Sequence, residues 1–265
     1  MRGDFTTSDG VRLGYQRAGS GPPIVLVHGS CTDHRCFDLI RGALAQRCTV
    51  TAYDRRGHGL SDAAADYSLD REALDVIEAA RDAGGGEPVA VLAYSYGATA
   101  ALRAVTTRPA PVRALVAYEA PFPVPDMIPA HAEISALLES GRADEALRLF
   151  VRTTFFLSER AVTAMAKHPM WTVSLAEVAG LRWETDGLAS ATLAPPTFPV
   201  PPVRYLVAAE GGNPAFHSVA ELVRATIPGA SVATVPGLPH FAMATEPAAF
   251  VAAVHAHLDS VSTVD

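Results

Sequence analysis

Short apolar runs that each end in a polar or glycine-containing turn constrain this chain more than any other feature. Pro23-Ile24-Val25-Leu26-Val27 closes in His28-Gly29, and Cys48-Thr49-Val50-Thr51-Ala52-Tyr53 closes in Asp54. Pro88-Val89-Ala90-Val91-Leu92-Ala93 leads into Tyr94-Ser95, and Val112-Arg113-Ala114-Leu115-Val116-Ala117-Tyr118 leads into Glu119. Near-continuous apolar character marks strands buried on both faces. Between the second and third runs, Leu69, Ala73, Leu74, Ile77 and Ala80 recur at three- and four-residue spacing and stop at Gly84-Gly85-Gly86. That is the pattern of an amphipathic helix with a glycine stop. Strand, helix, strand repetition predicts an α/β fold with a mostly parallel, doubly wound sheet.

The pattern changes after Pro121. Residues 131–190 carry helical segments such as Asp144 to Phe156 and no convincing strand, and Pro195 to Pro202 reads as a stiff connector. Strand signals return at 203–207 and 231–235, and a last helix follows Pro247 with Phe250, Val251, Val254 and Leu258 on one face. The expected organisation is a core of residues 1–121 and 200–265 interrupted by a helical insertion and connector at 122–199, the region that the resemblance described below implies is a cap.

Composition narrows the function. With 49% hydrophobic and 18% charged residues in 265, there is ample core material, which excludes disorder as a description of the whole. A net charge of −7 argues against a nucleic-acid-binding surface. No apolar stretch approaches the roughly 20 residues of a membrane span. Met1 to Thr7 lacks the apolar core of a secretory signal, and Cys31, Cys36 and Cys48 are an odd set read as reduced thiols. A cytoplasmic setting is therefore expected. Histidine and cysteine spacing suggests no metal site, and Cys31 and Cys36, with no adjacent base, read as buried thiols.

Ser95, within Ala93-Tyr94-Ser95-Tyr96-Gly97, lies where a strand hands over to a helix. A serine on that sharp turn projects its hydroxyl above the sheet, and the positions two before and two after must be small. Ala93 and Gly97 satisfy this, although glycine is usual at the first. A helix-capping serine is the plain alternative, so context decides. His28-Gly29-Ser30 closes one strand, Asp54-Arg55-Arg56-Gly57-His58-Gly59 closes the next, and His240 sits between the last strand and the final helix.

Together these motifs resemble the α/β-hydrolase superfamily over nearly the whole chain, closest to capped, serine-dependent members from actinobacteria that share the segment from His28 to Phe37. The resemblance implies Ser95 as nucleophile and His240 as base. It implies an oxyanion hole from the Ser30 and Tyr96 backbone N–H groups. The acid has two candidates. The usual position, after strand 203–207, offers Glu210 but no aspartate. Glu119, at the end of strand 112–118, matches an alternative acid position of the superfamily and is preferred, since a charged group there needs a partner.

The cap brings many large apolar side chains, which implies an apolar pocket. His28, Phe122, Phe155, Trp171 and Phe241 are the candidate substrate contacts. The expected activity is cofactor-free cleavage of an ester, thioester or lactone of a small, apolar molecule through an acyl-enzyme on Ser95. Two other readings stand beside it: a lyase, eliminase or cofactor-independent oxygenase using His240 as base, and a ligand-binding sensor on the same fold. Oligomeric state is not legible.

Overall fold

In a computed structural model, which describes residues 1–63, 66–123, 130–208 and 213–262, the chain builds one eight-stranded sheet. Its strands are β1 (Arg2–Thr6), β2 (Arg12–Ala18), β3 (Pro23–Val27), β4 (Thr49–Tyr53), β5 (Val89–Tyr94), β6 (Val112–Tyr118), β7 (Val203–Ala208) and β8 (Ser231–Val235), in the order β1-β2-β4-β3-β5-β6-β7-β8. β1 pairs with β2 and β2 with β4 antiparallel, and every other pairing is parallel. The six apolar runs are the six parallel strands. The sequence reading missed β1 and β2, and the reason is physical. β1 alternates between exposed and half-buried at the sheet edge, so it never shows a continuous apolar run.

Period-two alternation divides the core between the two faces. Val25, Val27, Val91 and Ala93 pack on one side with α2 (Leu69–Gly84), α3 (Tyr96–Thr107) and α9 (Ala215–Thr226). Ile24, Leu26, Leu92 and Val116 pack on the other with α1 (Asp38–Leu44) and α11 (Pro247–Ser262). α2 starts where its sequence signals say: the Ser68 side chain accepts from the Arg71 N–H, and Gly85 caps the far end at φ +57°.

Between β6 and β7 lie α4 (His131–Glu139), α5 (Ala143–Thr154), α6 (Glu159–Met165), α7 (Met170–Glu177) and α8 (Leu181–Ala189). α5 buries Ala146, Leu147, Phe150, Val151 and Thr154 and turns Arg148 and Arg152 outward, a helical stripe facing the first core. The short α10 (Ala242–Thr245) completes the set. Sequence order reverses between β3 and β5, so the loops leaving their C-terminal ends flank a crevice. Ligands of open α/β sheets bind at such a switch point.

Candidate active site

Ser95 leaves β5 with φ +52° and ψ −128°, a conformation that costs a non-glycine residue energy. Its surroundings hold it there. The Ser95 N–H donates to the Tyr118 carbonyl at 2.9 Å, and its own carbonyl accepts from the Ala98 N–H at 2.8 Å. A Cβ on Gly97 would stand 2.2 Å from the His28 carbonyl oxygen, and one on Gly29 2.7 Å from Ser95 Cβ. The small residues let three stretches of backbone meet at the serine.

Glu119 leaves β6, also at positive φ (+47°), and is buried. Its Oε2 accepts from His240 Nδ1 at 2.6 Å, and its Oε1 accepts from the Ala208 N–H at 2.9 Å. The carboxylate is thus held on one side by β7 and presented to the imidazole on the other. Glu210 lies outside the described residues.

Aromatic rings surround His240. Phe155 stacks on it at 4.2 Å between centroids and Phe216 at 5.2 Å, with Phe241 edge-on at 5.2 Å. Phe155 and Phe216 also wall a cavity shared with Ser30, Ser95 and Tyr96, so the rings that stack on the imidazole also border the space beside the serine. Among the described residues no hydrogen bond joins the Ser95 hydroxyl to His240, a spacing common before a substrate is bound. The space open to the centre of a water molecule is ≈ 20 Å³, about one water's worth, so the walls must shift to admit a substrate.

The N–H groups of Ser30 and Tyr96 have no acceptor among the described residues. Tyr96 opens α3, where backbone donors lack intrahelical partners. Both residues line the cavity beside Ser95, an arrangement able to receive a developing negative charge.

The five expected substrate contacts divide. Phe155 lines the cavity and Phe241 packs edge-on against Phe155 at 5.1 Å. Phe122 and Trp171 are core residues away from the lining; the Trp171 indole N–H donates to Asp144 Oδ1 at 2.9 Å. His28 is fully buried and has no ring nitrogen to offer a substrate: Nδ1 engages the Gly29 carbonyl and Nε2 accepts from the Arg55 N–H, each at 2.9 Å. Burial, reinforced by Arg55, holds it well below the usual histidine range, so it is neutral. None of these three lines the cavity: volume and aromaticity in a sequence do not tell pocket wall from core.

Sequence reasoning missed Phe150, Thr154, Leu181, Glu184 and Phe216, all in the cavity wall. It also missed a buried ionic cluster. Arg55 donates through Nε to Glu72 at 2.9 Å, through Nη1 to the Gly29 carbonyl at 3.1 Å and through Nη2 to Glu184 of α8. Its guanidinium lies over the Tyr96 ring, 4.8 Å from the centroid. The one signal was Arg55 itself, a residue rarely buried without partners.

Cys31 and Cys36 are thiols raised by burial well above their usual range, as expected of unreactive cysteines. Asp33, His34 and Asp54 come close enough to hold a cation. Their atoms are already engaged, however: Asp54 accepts from the His34 and Leu60 N–H groups, and Asp33 is clamped by Arg35. We read them as loop staples.

The strained serine turn at the end of β5, inside this sheet order, defines an α/β-hydrolase. A model of the alpha/beta hydrolase family matches residues 24–254, and the chain belongs to that family. The chain is 36% identical over 106 residues to the uncharacterized protein Rv2715 of Mycobacterium tuberculosis, a match covering 37% of this chain and 29% of that one. The chain therefore aligns with less than a third of that relative. Among solved structures, an alpha/beta hydrolase from Sphaerobacter thermophilus superposes with a TM-score of 0.75 at 28% identity, covering 88% of this chain and 91% of its own. The esterase RhEst1 from Rhodococcus sp. shares the fold, with a TM-score of 0.76 at 22% identity over 98% and 99% of the two chains. Among the described residues no helix is long and apolar enough to cross a membrane.

Proposed function

We propose that the chain is a serine hydrolase that cleaves a carboxylic ester, thioester or lactone with an apolar acyl or aryl part. Ser95 Oγ attacks the carbonyl carbon while His240 Nε2 takes the hydroxyl proton. Glu119 keeps the Nδ1 proton in place and stabilises the imidazolium that forms. The Ser30 and Tyr96 N–H groups receive the oxyanion; each such donor is worth roughly 2.7–4 kcal/mol in the transition state. Collapse expels the alcohol or thiol with the proton from His240, and a water activated by the same imidazole frees the acyl group. In this reading residues 122–199 form a cap that closes the site, core and cap divide at the positions expected from sequence, and the protein works in the cytoplasm without a cofactor or macromolecular partner.

The observation that carries the proposal is the 2.6 Å contact between His240 Nδ1 and a carboxylate whose other oxygen is held by the Ala208 N–H. A buried imidazole fixed in one tautomer beside a strained serine fits a general base better than a structural histidine. The test is labelling with a fluorophosphonate and turnover of p-nitrophenyl esters of increasing acyl length. Wild type should be labelled and active, and Ser95→Ala should lose both. Turnover that survives Ser95→Ala would instead favour base chemistry at His240 without an acyl-enzyme.

A further inference from the structure

The cavity around Ser95 is walled mostly by apolar side chains, yet two of its polar atoms have no partner. Glu184 of α8 is 1% exposed, and its Oε1 accepts from Arg55 while Oε2 accepts nothing among the described residues. Thr154, the last residue of α5, is 4% exposed, and its Oγ1 is likewise without a partner. Both residues line the cavity beside Ser95, Ser30 and Tyr96. Buried polar atoms are paired in the great majority of cases, so two such atoms in one small cavity call for an explanation.

Each of the two carboxylates on Arg55 spends one oxygen on it and keeps the other unpaired, Glu72 Oε1 like Glu184 Oε2, but only Glu184 lines the cavity, where Thr154 adds a second unpartnered oxygen. The charge count agrees. Glu72 and Glu184 are two buried carboxylates on one guanidinium. His58, 3.5 Å from Glu184, is held by burial and Arg55 at about 4 and adds no positive charge at neutral pH. Tyr67 and Tyr96 are phenols hydrogen bonded to each other at 2.9 Å. The cluster is acceptor-rich on the side that meets the cavity.

We propose that Glu184, assisted by Thr154, recognises a hydrogen-bond donor on the substrate: a hydroxyl or amino group carried within a few bonds of the scissile carbonyl. This rests on acyl transfer at Ser95 and narrows its substrate class from plain apolar esters to hydroxylated or aminated ones. A substrate that carries the donor pairs this buried acceptor, and a substrate lacking the donor fills the cavity and leaves the acceptor unpaired.

Shape-matched esters test the idea. The p-nitrophenyl esters of 3-hydroxybutyric, 3-aminobutyric and 3-methylbutyric acids, and the corresponding 2-substituted series, differ chiefly in the donor. In wild type, kcat/KM for the hydroxy or amino ester should exceed that of its methyl counterpart by about 10- to 100-fold in at least one series. The arm that shows the preference tells a hydroxyl substrate from an amine.

Glu184→Gln should bring that ratio close to one for the amino ester and lower it for the hydroxy ester. Its amide oxygen must face the Arg55 donors, which turns the NH₂ toward the cavity: it opposes an ammonium donor to donor, and for a hydroxyl it replaces a charged acceptor with a neutral donor, so the amino-ester ratio should collapse and the hydroxy-ester ratio fall several-fold. Thr154→Val should lower the ratio less, and it decides alongside the wild-type ratio should Glu184→Gln fail to fold by thermal melting. A wild-type preference for the methyl esters, no preference in either series, or a preference that Glu184→Gln leaves undiminished would overturn the inference while leaving ester cleavage standing. If no ester is cleaved and Ser95 resists the fluorophosphonate, the hydrolase reading fails first and this one with it.

Discussion

Replacing Glu119 by glutamine changes almost no volume and removes one thing, the ability to accept on both sides. In the native site the Ala208 N–H needs an acceptor at one carboxylate oxygen and His240 Nδ1 needs an acceptor at the other. A glutamine has a single oxygen. The Ala208 donor is a backbone group at the end of β7 and cannot move, so it claims that oxygen and turns the NH₂ toward His240. The imidazole then must accept at Nδ1 and carry its proton on Nε2, the nitrogen that has to take the proton from Ser95. A base protonated at the working nitrogen is inactive. The equivalent exchange in serine proteases lowers kcat about 10⁴-fold with geometry intact, a loss of about 5 kcal/mol of transition-state stabilisation. We therefore expect Glu119→Gln to lose about three to four orders of magnitude in kcat on the best p-nitrophenyl ester, with a melting temperature close to wild type. Glu210→Gln, the control, should fall less than tenfold. A folded Glu119→Gln that keeps more than about a tenth of kcat, or a Glu210→Gln that falls as steeply, would refute this reasoning.

Two further outcomes follow from packing and from proton linkage. Gly97→Ala places a Cβ 2.2 Å from the His28 carbonyl and 2.8 Å from that of Val27, both main-chain atoms; urea melts should show at least the 1–3 kcal/mol typical of overpacking, together with lost turnover. His58 is held at about 4, against 6.5 for a free histidine, chiefly by burial and then by Arg55. Its neutral form is the one that folds, so this contribution is present above pH 6.5 and is lost as pH falls toward 4. The full effect is about 3 kcal/mol, and stability measured by urea at pH 7 and pH 4.5 should differ less in His58→Gln than in wild type.

The inner parallel strands were legible because burial on both sides writes itself into a run of consecutive residues such as Ile24 to Val27, whereas β8 at the sheet edge is only half-buried and was legible from its valines and threonine. β1 was not, because an edge strand half open to water needs only alternation. The Ser95 turn was legible for a related reason. The demand that Gly97 and Ala93 be small acts within two residues of the serine, so the constraint is local and a short motif carries it. Glu119 was readable at one remove, as a charge ending an otherwise apolar strand.

The cavity wall is a different case, and the difference bears on what the site can select. Phe155 and Phe122 look alike in sequence and both belong to the same buried core, yet only Phe155 lines the cavity and stacks on His240. What separates them is how α5 lies over the sheet, a relation among residues far apart in the chain. Glu184 is the clearest instance. On α8 it shares the buried face of Leu181 and Leu188, and its charged partner there, Arg55, lies 129 residues earlier in the chain. If the proposed roles hold, specificity separates from catalysis in space: Ser95, Glu119 and His240 sit on loops of the sheet, and the residue proposed to tell one ester from another comes from α8.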